Sequence, residues 1–365
     1  MGILAPPRRA DLGFLVCVTI VAEVADGLGV FSTLAQGAVR VAQGSVLGLW
    51  LLIVGVAVTS TAVLSLDTTA VLVTPVVLAL ARQLGLDVAL FAYTAVWLAN
   101  TASLFLPVSN LTNLLALSAL PSHSVRDFAV LTWPAALTSV LITVLALAVI
   151  FRRSLRGRYQ RLPAQPAAHR GLLVLGMIVC GALGPALLLG LNVVVASPVA
   201  AAILAVGCAI GARSLLTWRL LPWQLVLGVG LLFILVQIAH DHGLGAALGR
   251  AAGHGSSGVA LAQLCGVGAV GANLVDNLPS YLALEPAADA SPLRLAALLV
   301  GVNAGPLITP WASLATLLWA AWAALPLRRR SGVLDAFRRP RCGPRTAAPH
   351  DVGDVLVARA RLAER

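Results

Sequence analysis

The stretch Asn100–Leu115, NTASLFLPVSNLTNLL, aligns without a gap on Asn303–Leu318, NAGPLITPWASLATLL. Asn100 meets Asn303, Leu104 meets Leu307, Pro107 meets Pro310, and Leu111, Leu114 and Leu115 meet Leu314, Leu317 and Leu318. An apolar run broken in the same way in both halves is a repeat, and the rest of the chain is read around it. Upstream, DGLG from Asp26 pairs with HGLG from His242, and Asp67 falls opposite Asn277 at a similar offset. Three matches in one order argue against chance.

The setting of these repeats is apolar throughout. Of 365 residues, 59% are hydrophobic and only 11% charged, and the mean hydropathy is +0.94. No water-facing surface has that composition, so the class is an all-α polytopic membrane protein. A crossing helix needs about 20 apolar residues. The sequence predicts about ten helical segments. In the first half they run over 12–31, 46–66, 68–84, 88–99, 104–120 and 127–151. In the second they run over 171–191, 193–211, 222–239 and 258–275, then a short piece near Leu278, then 293–302 and 307–325. Met1–Ala10 lacks the pattern of a cleavable signal, and none is needed when apolar spans direct their own insertion.

The net charge of +11 comes from arginine alone, since the chain has no lysine. Six arginines lie in the linker FRRSLRGRYQRLPAQPAAHR, Phe151–Arg170, and seven more lie between Arg328 and Arg345 against the single acid Asp335. Beside apolar spans, such clusters read as positive-inside signals rather than a nucleic-acid surface, which places both segments in the cytoplasm. The expected organisation is a first transmembrane repeat over 1–151, an arginine-rich linker over 152–170, a second repeat with scaffold helices over 171–327, and an arginine-rich tail over 328–365. With the arginines on one side, the unit carrying Asn100 runs outward and the unit carrying Asn303 runs inward. The repeats are therefore inverted, as in many secondary transporters.

Each half holds two polar interruptions: SLDTT and ANTASLFLPVSN in the first, LVDNLPS and VNAGPLITP in the second. Pro107, Pro279, Pro306 and Pro310 remove backbone donors, and Gly305 loosens the helix beside them. Asp67 is a lone acid within a long uncharged stretch, and at mid-membrane such a group costs at least about 2.5 kcal/mol. Its hydrogen bonds are expected to be shared by Thr68 and Thr69, with a helix-capping role as the structural alternative. Asn100, Thr101, Ser103, Ser109, Asn110 and Asn113 around Pro107, with Asn303 and Thr309 around Pro310, are the candidate solute ligands. Glu23 and Asp26 read as interfacial, and His240, Asp241 and His242 as a water-exposed helix end without enough ligands for a metal. Cys17, Cys180, Cys208, Cys265 and Cys342 are isolated. No nucleotide loop, nucleophile elbow, HExxH or dinucleotide fingerprint occurs, so neither an enzyme nor a cofactor is expected.

At LDTTAVLVTPVV, NTASLFLPVSNLTNLL, WQLVLGVGLLFILV, DNLPSYLAL and GPLITPWASLATLLW, the chain resembles the arsenite/antimonite efflux permeases of the ArsB type. These sit in the ion-transporter superfamily with sodium/dicarboxylate symporters and sodium/proton antiporters. The resemblance implies re-entrant hairpins, broken helices and elevator-type movement. It also implies export of trivalent arsenic or antimony in exchange for protons, sometimes with a soluble ATPase partner, and homodimers are common. By position, Asp67 matches the hairpin acid of the first half, and Asn277 and Pro279 match the hairpin of the second. Asp67 and Asp276 are the candidates for proton exchange. Asn100 and Asn303 stand where the family typically has Asp, Leu307 where it has lysine, and Asp276 where it is uncharged. The family's extra N-terminal helices and last helix are expected to lack counterparts here. VSNLTN also resembles the Ser-Asn-Thr signatures of the dicarboxylate symporters, which keeps a small-anion transporter as an alternative, alongside a non-transporting membrane scaffold.

Overall fold

A computed structural model describes residues 9–160, 170–189, 191, 193–217, 220, 227, 231, 234–235, 238–239, 242–288, 291–313 and 315–316. In the first half, α1 (Arg9–Gly27), α2 (Val30–Val41) and α3 (Val46–Val63) lead to a hairpin. Its return arm is α4 (Leu66–Thr68), a π-helical turn (Thr69–Val73) and α5 (Thr74–Gln83). Then come α6 (Val88–Thr101), two 3-10 turns (Ala102–Phe105 and Pro107–Ser109), α7 (Leu111–Ala119) and α8 (Val125–Ile150). After the linker come α9 (Arg170–Leu188), α10 (Val193–Gly211), α11 (Leu244–Ala252), α12 (Gly258–Val275), α13 (Asn277–Leu284) and α14 (Pro292–Ala304). Six stretches among the described residues are long and apolar enough to cross a membrane, and the bent α1–α2 pair makes up to a seventh.

Side-chain caps set where these helices begin. Ser45 Oγ accepts from Gly48 N at 3.1 Å to start α3, and Ser257 Oγ accepts from Ala260 N at 3.3 Å to start α12. Asp87 and Ser124 do the same for α6 and α8. Each satisfies an N–H that the helix itself leaves unpaired. The two halves thus share one order: a left-handed glycine (Gly29, φ 84°; Gly243, φ 94°), a short helix, a serine cap, a long helix, a hairpin and a broken helix.

Their opposite orientation follows from α8. At 1.5 Å per residue, its 26 residues span about 39 Å, more than the roughly 30 Å hydrocarbon core, so its ends mark the two membrane faces. Just past its C-terminal end, Ser154 Oγ donates to Asp87 Oδ2 at 2.6 Å, which puts the start of α6 at that face. Near its N-terminal end, Leu120, Pro121, Ser122 and Asp127 line a cavity of about 410 Å³ together with Pro292, the first residue of α14. The helices that carry Asn100 and Asn303 therefore enter from opposite faces, as the charge pattern predicts.

Close packing holds the second half together. Gly301 and Gly305, the ends of GVNAG, lie against α12: a Cβ on Gly301 would strike the Cys265 carbonyl, and one on Gly305 would strike Ala269. Two small residues four apart let helix backbones approach where no hydrophobic effect drives association.

Several boundaries differ from the sequence reading. The expected helix 12–31 breaks at Leu28–Gly29 with a 56° bend, because Gly29 takes a left-handed conformation that a side chain disfavours. Neither α2 nor α11 is visible in the sequence as a separate helix. In α2, Val30, Phe31, Ala35, Ala38 and Val39 are buried while Arg40 is exposed, the pattern of a helix lying along a surface. The expected helix 104–120 begins only at Leu111, since the chain before it takes the two 3-10 turns around Pro107. Likewise the expected helix 307–325 does not start at Leu307: residues 305–313 are irregular and helix resumes at Ala315–Thr316. Pro279 breaks nothing, since it lies in the first turn of α13 where no N–H is needed. Most of the expected helix 222–239, Leu314, residues 317–327, His240, Asp241, the tail from Arg328 and Cys342 lie outside the described residues.

Candidate solute site at the crossing of two broken helices

At the first hairpin tip, Ser65 and not Asp67 caps the returning helix. Ser65 Oγ accepts from Thr68 N at 3.0 Å and pairs with Thr68 Oγ1 at 2.9 Å. Thr69 Oγ1 is engaged by Thr61 at 2.8 Å, and Thr74 Oγ1 donates to the Thr69 carbonyl at 3.2 Å within the π turn. The two threonines expected to share the hydrogen bonds of Asp67 are thus spent on neighbours. Asp67 Oδ1 is sealed from solvent and has no hydrogen-bond partner among the described residues.

The second hairpin tip is built differently. Asp276 is itself the cap, its Oδ1 accepting from Leu278 N at 3.1 Å, with a backbone φ of 101° that is rare for a residue with a side chain. Counted from the caps, Asp67 is the second residue of its helix and Asn277 the first, so their pairing in the repeat is off by one. Asn277 is buried.

The breaks meet in a reciprocal exchange. Asn113 Nδ2 donates to the carbonyls of Ser103 at 2.6 Å and Leu106 at 3.1 Å, which can only accept, and so its Oδ1 must face outward. That oxygen receives Asn303 Nδ2 at 2.7 Å. Asn303 Oδ1 in turn accepts from Asn110 Nδ2 at 2.8 Å and Thr112 Oγ1 at 3.0 Å. On the other side of the pseudo-twofold, Asn100 Nδ2 donates to Thr316 Oγ1 at 3.3 Å, and Thr316 is the residue that the repeat alignment sets opposite Asn113. Asn110 and Ser313, also equivalent, both cap the helix that follows the break.

The exchange is unequal. Every hydrogen-bonding side-chain atom of Asn303 is paired, whereas Asn100 Oδ1 is buried without a partner among the described residues. Its orientation is fixed, because Nδ2 must serve the Val96 carbonyl at 2.9 Å. Leu66, Ala70, Ala99 and Ala315 form one buried cluster that presses the first hairpin tip onto the end of α6 and the start of the last helix. Asp67 and Asn100 are the chain neighbours of that cluster. The crossing therefore holds two sealed, unpaired oxygen acceptors on the first-repeat side.

The other expected site residues have local duties. Thr101 Oγ1 donates to the Trp97 carbonyl at 2.9 Å and meets Thr143 of α8. Ser103 Oγ donates to the Asn100 carbonyl at 2.7 Å, and Ser109 Oγ to the Ala62 carbonyl at 2.8 Å, which shape the first break. Thr309 is held by Asn273, a residue that sequence reasoning missed. Asn273 Nδ2 donates to the Gly305 carbonyl at 2.9 Å, and its Oδ1 accepts from Thr309 N at 3.1 Å. Its carbonyl also takes Thr309 Oγ1 and Trp311 Nε1. An amide within an apolar span is the signal that could have marked it.

A family model described as citrate transporter matches residues 6–321. The chain belongs to the citrate transporter family. It is also 29% identical over 334 residues to the arsenical pump membrane protein of Escherichia coli strain K12, covering 83% of this chain and 76% of that one. The proteins of the same name from Shigella flexneri and Yersinia enterocolitica match at the same identity and coverage. The resemblance drawn from the helix breaks is thereby borne out, and the chain is a multi-pass membrane transporter.

Proposed function

We propose that this chain exports arsenite or antimonite from the cytoplasm by exchange for protons. The observation that carries the reading is the pair of sealed, unpaired acceptors, Asp67 Oδ1 and Asn100 Oδ1, at the crossing of the broken helices. A buried acceptor without a donor costs about 1–3 kcal/mol, so the site favours a solute that brings hydrogens. Arsenite at neutral pH is largely the uncharged trihydroxide, whose O–H groups donate and whose oxygens accept. The buried Asn277 amide beside Asp276 supplies a matching donor. In this reading Asn100, Asn277 and Asp67 contact the solute, while Thr68, Thr101, Ser103, Ser109, Pro279, Asn303 and Thr309 hold the frame. Asp67 and Asp276 carry the exchanged protons.

The reading extends to an elevator-type movement of the hairpins and broken helices, a homodimer, a soluble ATPase partner, and the linker and tail in the cytoplasm. The division into repeats over 1–151 and 171–327 belongs to it as well. The test is arsenite efflux from cells lacking their own exporter: the chain is expected to confer resistance. No added resistance with confirmed membrane expression would overturn the proposal.

A second reading, transport of a small carboxylate anion, is favoured by the matching family's description. An anion would face two unpaired oxygens with no cationic side chain among the residues described at the crossing, which disfavours it. Sodium-dependent citrate or dicarboxylate uptake into vesicles, with no arsenite flux, would establish it instead.

A further inference from the structure

Directly after α8, the chain turns through Arg152, Arg153, Arg156 and Arg158, all exposed. This segment is fixed in place. Gly157 O accepts from Val46 N at 3.2 Å, Tyr159 N donates to Gly44 O at 3.0 Å, and Tyr159 Oη donates to Val39 O at 2.9 Å at the end of α2. Exposed Arg40 ends that same helix. None of these five arginines makes an ion pair among the described residues. The acid beside them, Asp87, is already used by Ala89 N and Ser154 Oγ.

A cavity of about 570 Å³ opens where this segment leaves the membrane, lined by Val149, Ile150, Phe151, Arg152, Arg153, Ser154 and Asp87. Its size is that of small-molecule sites. Val149 and Ile150 are 68% and 59% exposed at the end of α8. Apolar wall and unpaired guanidinium groups therefore meet at the depth where α8 outruns the hydrocarbon core, the level of lipid headgroups.

We propose that this cavity binds the headgroup of an anionic phospholipid, with Arg152 and Arg153 on the phosphate and the first acyl carbons along Val149 and Ile150. Guanidinium groups suit phosphate because they offer paired donors, and the exposed apolar strip suits chains that free phosphate lacks. An acidic protein surface would use the arginines but not the strip.

Native mass spectrometry of the purified full chain tests this, with phosphatidylglycerol and phosphatidylcholine of identical chains in competition. Wild type is expected to retain phosphatidylglycerol preferentially, and rising salt is expected to weaken the preference. R152Q/R153Q should reduce it on the order of tenfold or more, while R250Q, at an exposed arginine of α11, should leave it unchanged. Should R152Q/R153Q fail to fold, V149S/I150S tests the apolar wall with all arginines present and is expected to lower retention of both lipids at this site. Equal retention of the two lipids by wild type overturns the proposal. So does displacement of the lipid by equimolar glycerol 3-phosphate, which would mark a free-phosphate site, or an R250Q effect equal to that of R152Q/R153Q.

Discussion

Asn100 and Asn303 are equivalent in sequence, yet their removal should not cost the same. Asn303→Ala deletes three hydrogen bonds between the repeats and leaves Asn113 Oδ1, Asn110 Nδ2 and Thr112 Oγ1 without their partner. Interhelical side-chain bonds in membrane proteins are worth about 0.6 kcal/mol on average and up to about 1.7, so three give roughly 2–5 kcal/mol. Asn100→Ala deletes one long inter-repeat bond, at 3.3 Å, and a bond to a carbonyl in its own helix. It also removes a buried acceptor that nothing satisfies, whose burial costs about 1–3 kcal/mol. The two effects nearly cancel. N100A should therefore lie within about 1 kcal/mol of wild type, and N303A should be less stable by at least about 2 kcal/mol.

Unfolding in detergent can be followed with a thiol-reactive dye, because Cys180 and Cys208 are buried and free in the folded state. N303A should melt well below N100A. The double variant N303A/N113A should cost less than the sum of its parts, since the two side chains share a bond. Equal melting of N100A and N303A, or a lower value for N100A, would refute the claim that the crossing is satisfied on one side only.

Asp67→Asn should abolish arsenite flux while leaving the melting temperature unchanged or raised, because it neutralises a half-buried carboxyl whose Oδ1 is sealed without a partner among the described residues; full flux in this variant would remove Asp67 from the mechanism. Arg294 is 2% exposed and donates to the carbonyls of Ala287, Gly255, Gly253 and Ala252. Lysine cannot reproduce that fork, so R294K should cost about 2–4 kcal/mol in the same unfolding assay. Gly301→Ala should lower folded yield sharply, because its Cβ would meet the backbone of Cys265; normal yield and melting would show that α12 and α14 can separate freely.

The parts of this fold that sequence reveals are those set by local composition. Apolar runs specify spans, prolines mark where hydrogen bonding must lapse, and repeated residues such as Asn100 and Asn303 locate the breaks. Gly27 and Gly29 lie three and one residues before α2, yet only the conformation shows that Gly29 turns the chain. The amphipathic helices α2 and α11 are short and flanked by apolar sequence, so their periodicity merges with that of their neighbours. Illegible for a different reason is the division of labour among polar side chains. Thr68 and Thr69 follow Asp67 in sequence but bond to Ser65 and Thr61, whereas Asn303 finds Asn113 and Asn110 from 190 and 193 residues away. Nothing local in the chain encodes those partners; they follow from two helices entering from opposite faces.

That geometry also explains why one side of the crossing is left open. A pseudo-twofold axis pairs each break with the helix beyond the other, so an unmodified repeat would satisfy both asparagines or neither. The substitutions that break the tie are at the donating positions: Asn110 Nδ2 and Thr112 Oγ1 donate to Asn303 Oδ1, while their counterparts are Ser313, paired with Thr316, and Ala315, which has no side-chain donor to offer Asn100 Oδ1. Asn110 adds a second amide on the closed side, where the other repeat has the short Ser313. The result is a rigid joint in one repeat and two bare oxygens, from Asn100 and Asp67, in the other. On the proposed function, a transporter built on inverted repeats needs its moving parts held together and its solute held loosely, and the unequal pairing would supply both from one duplicated segment.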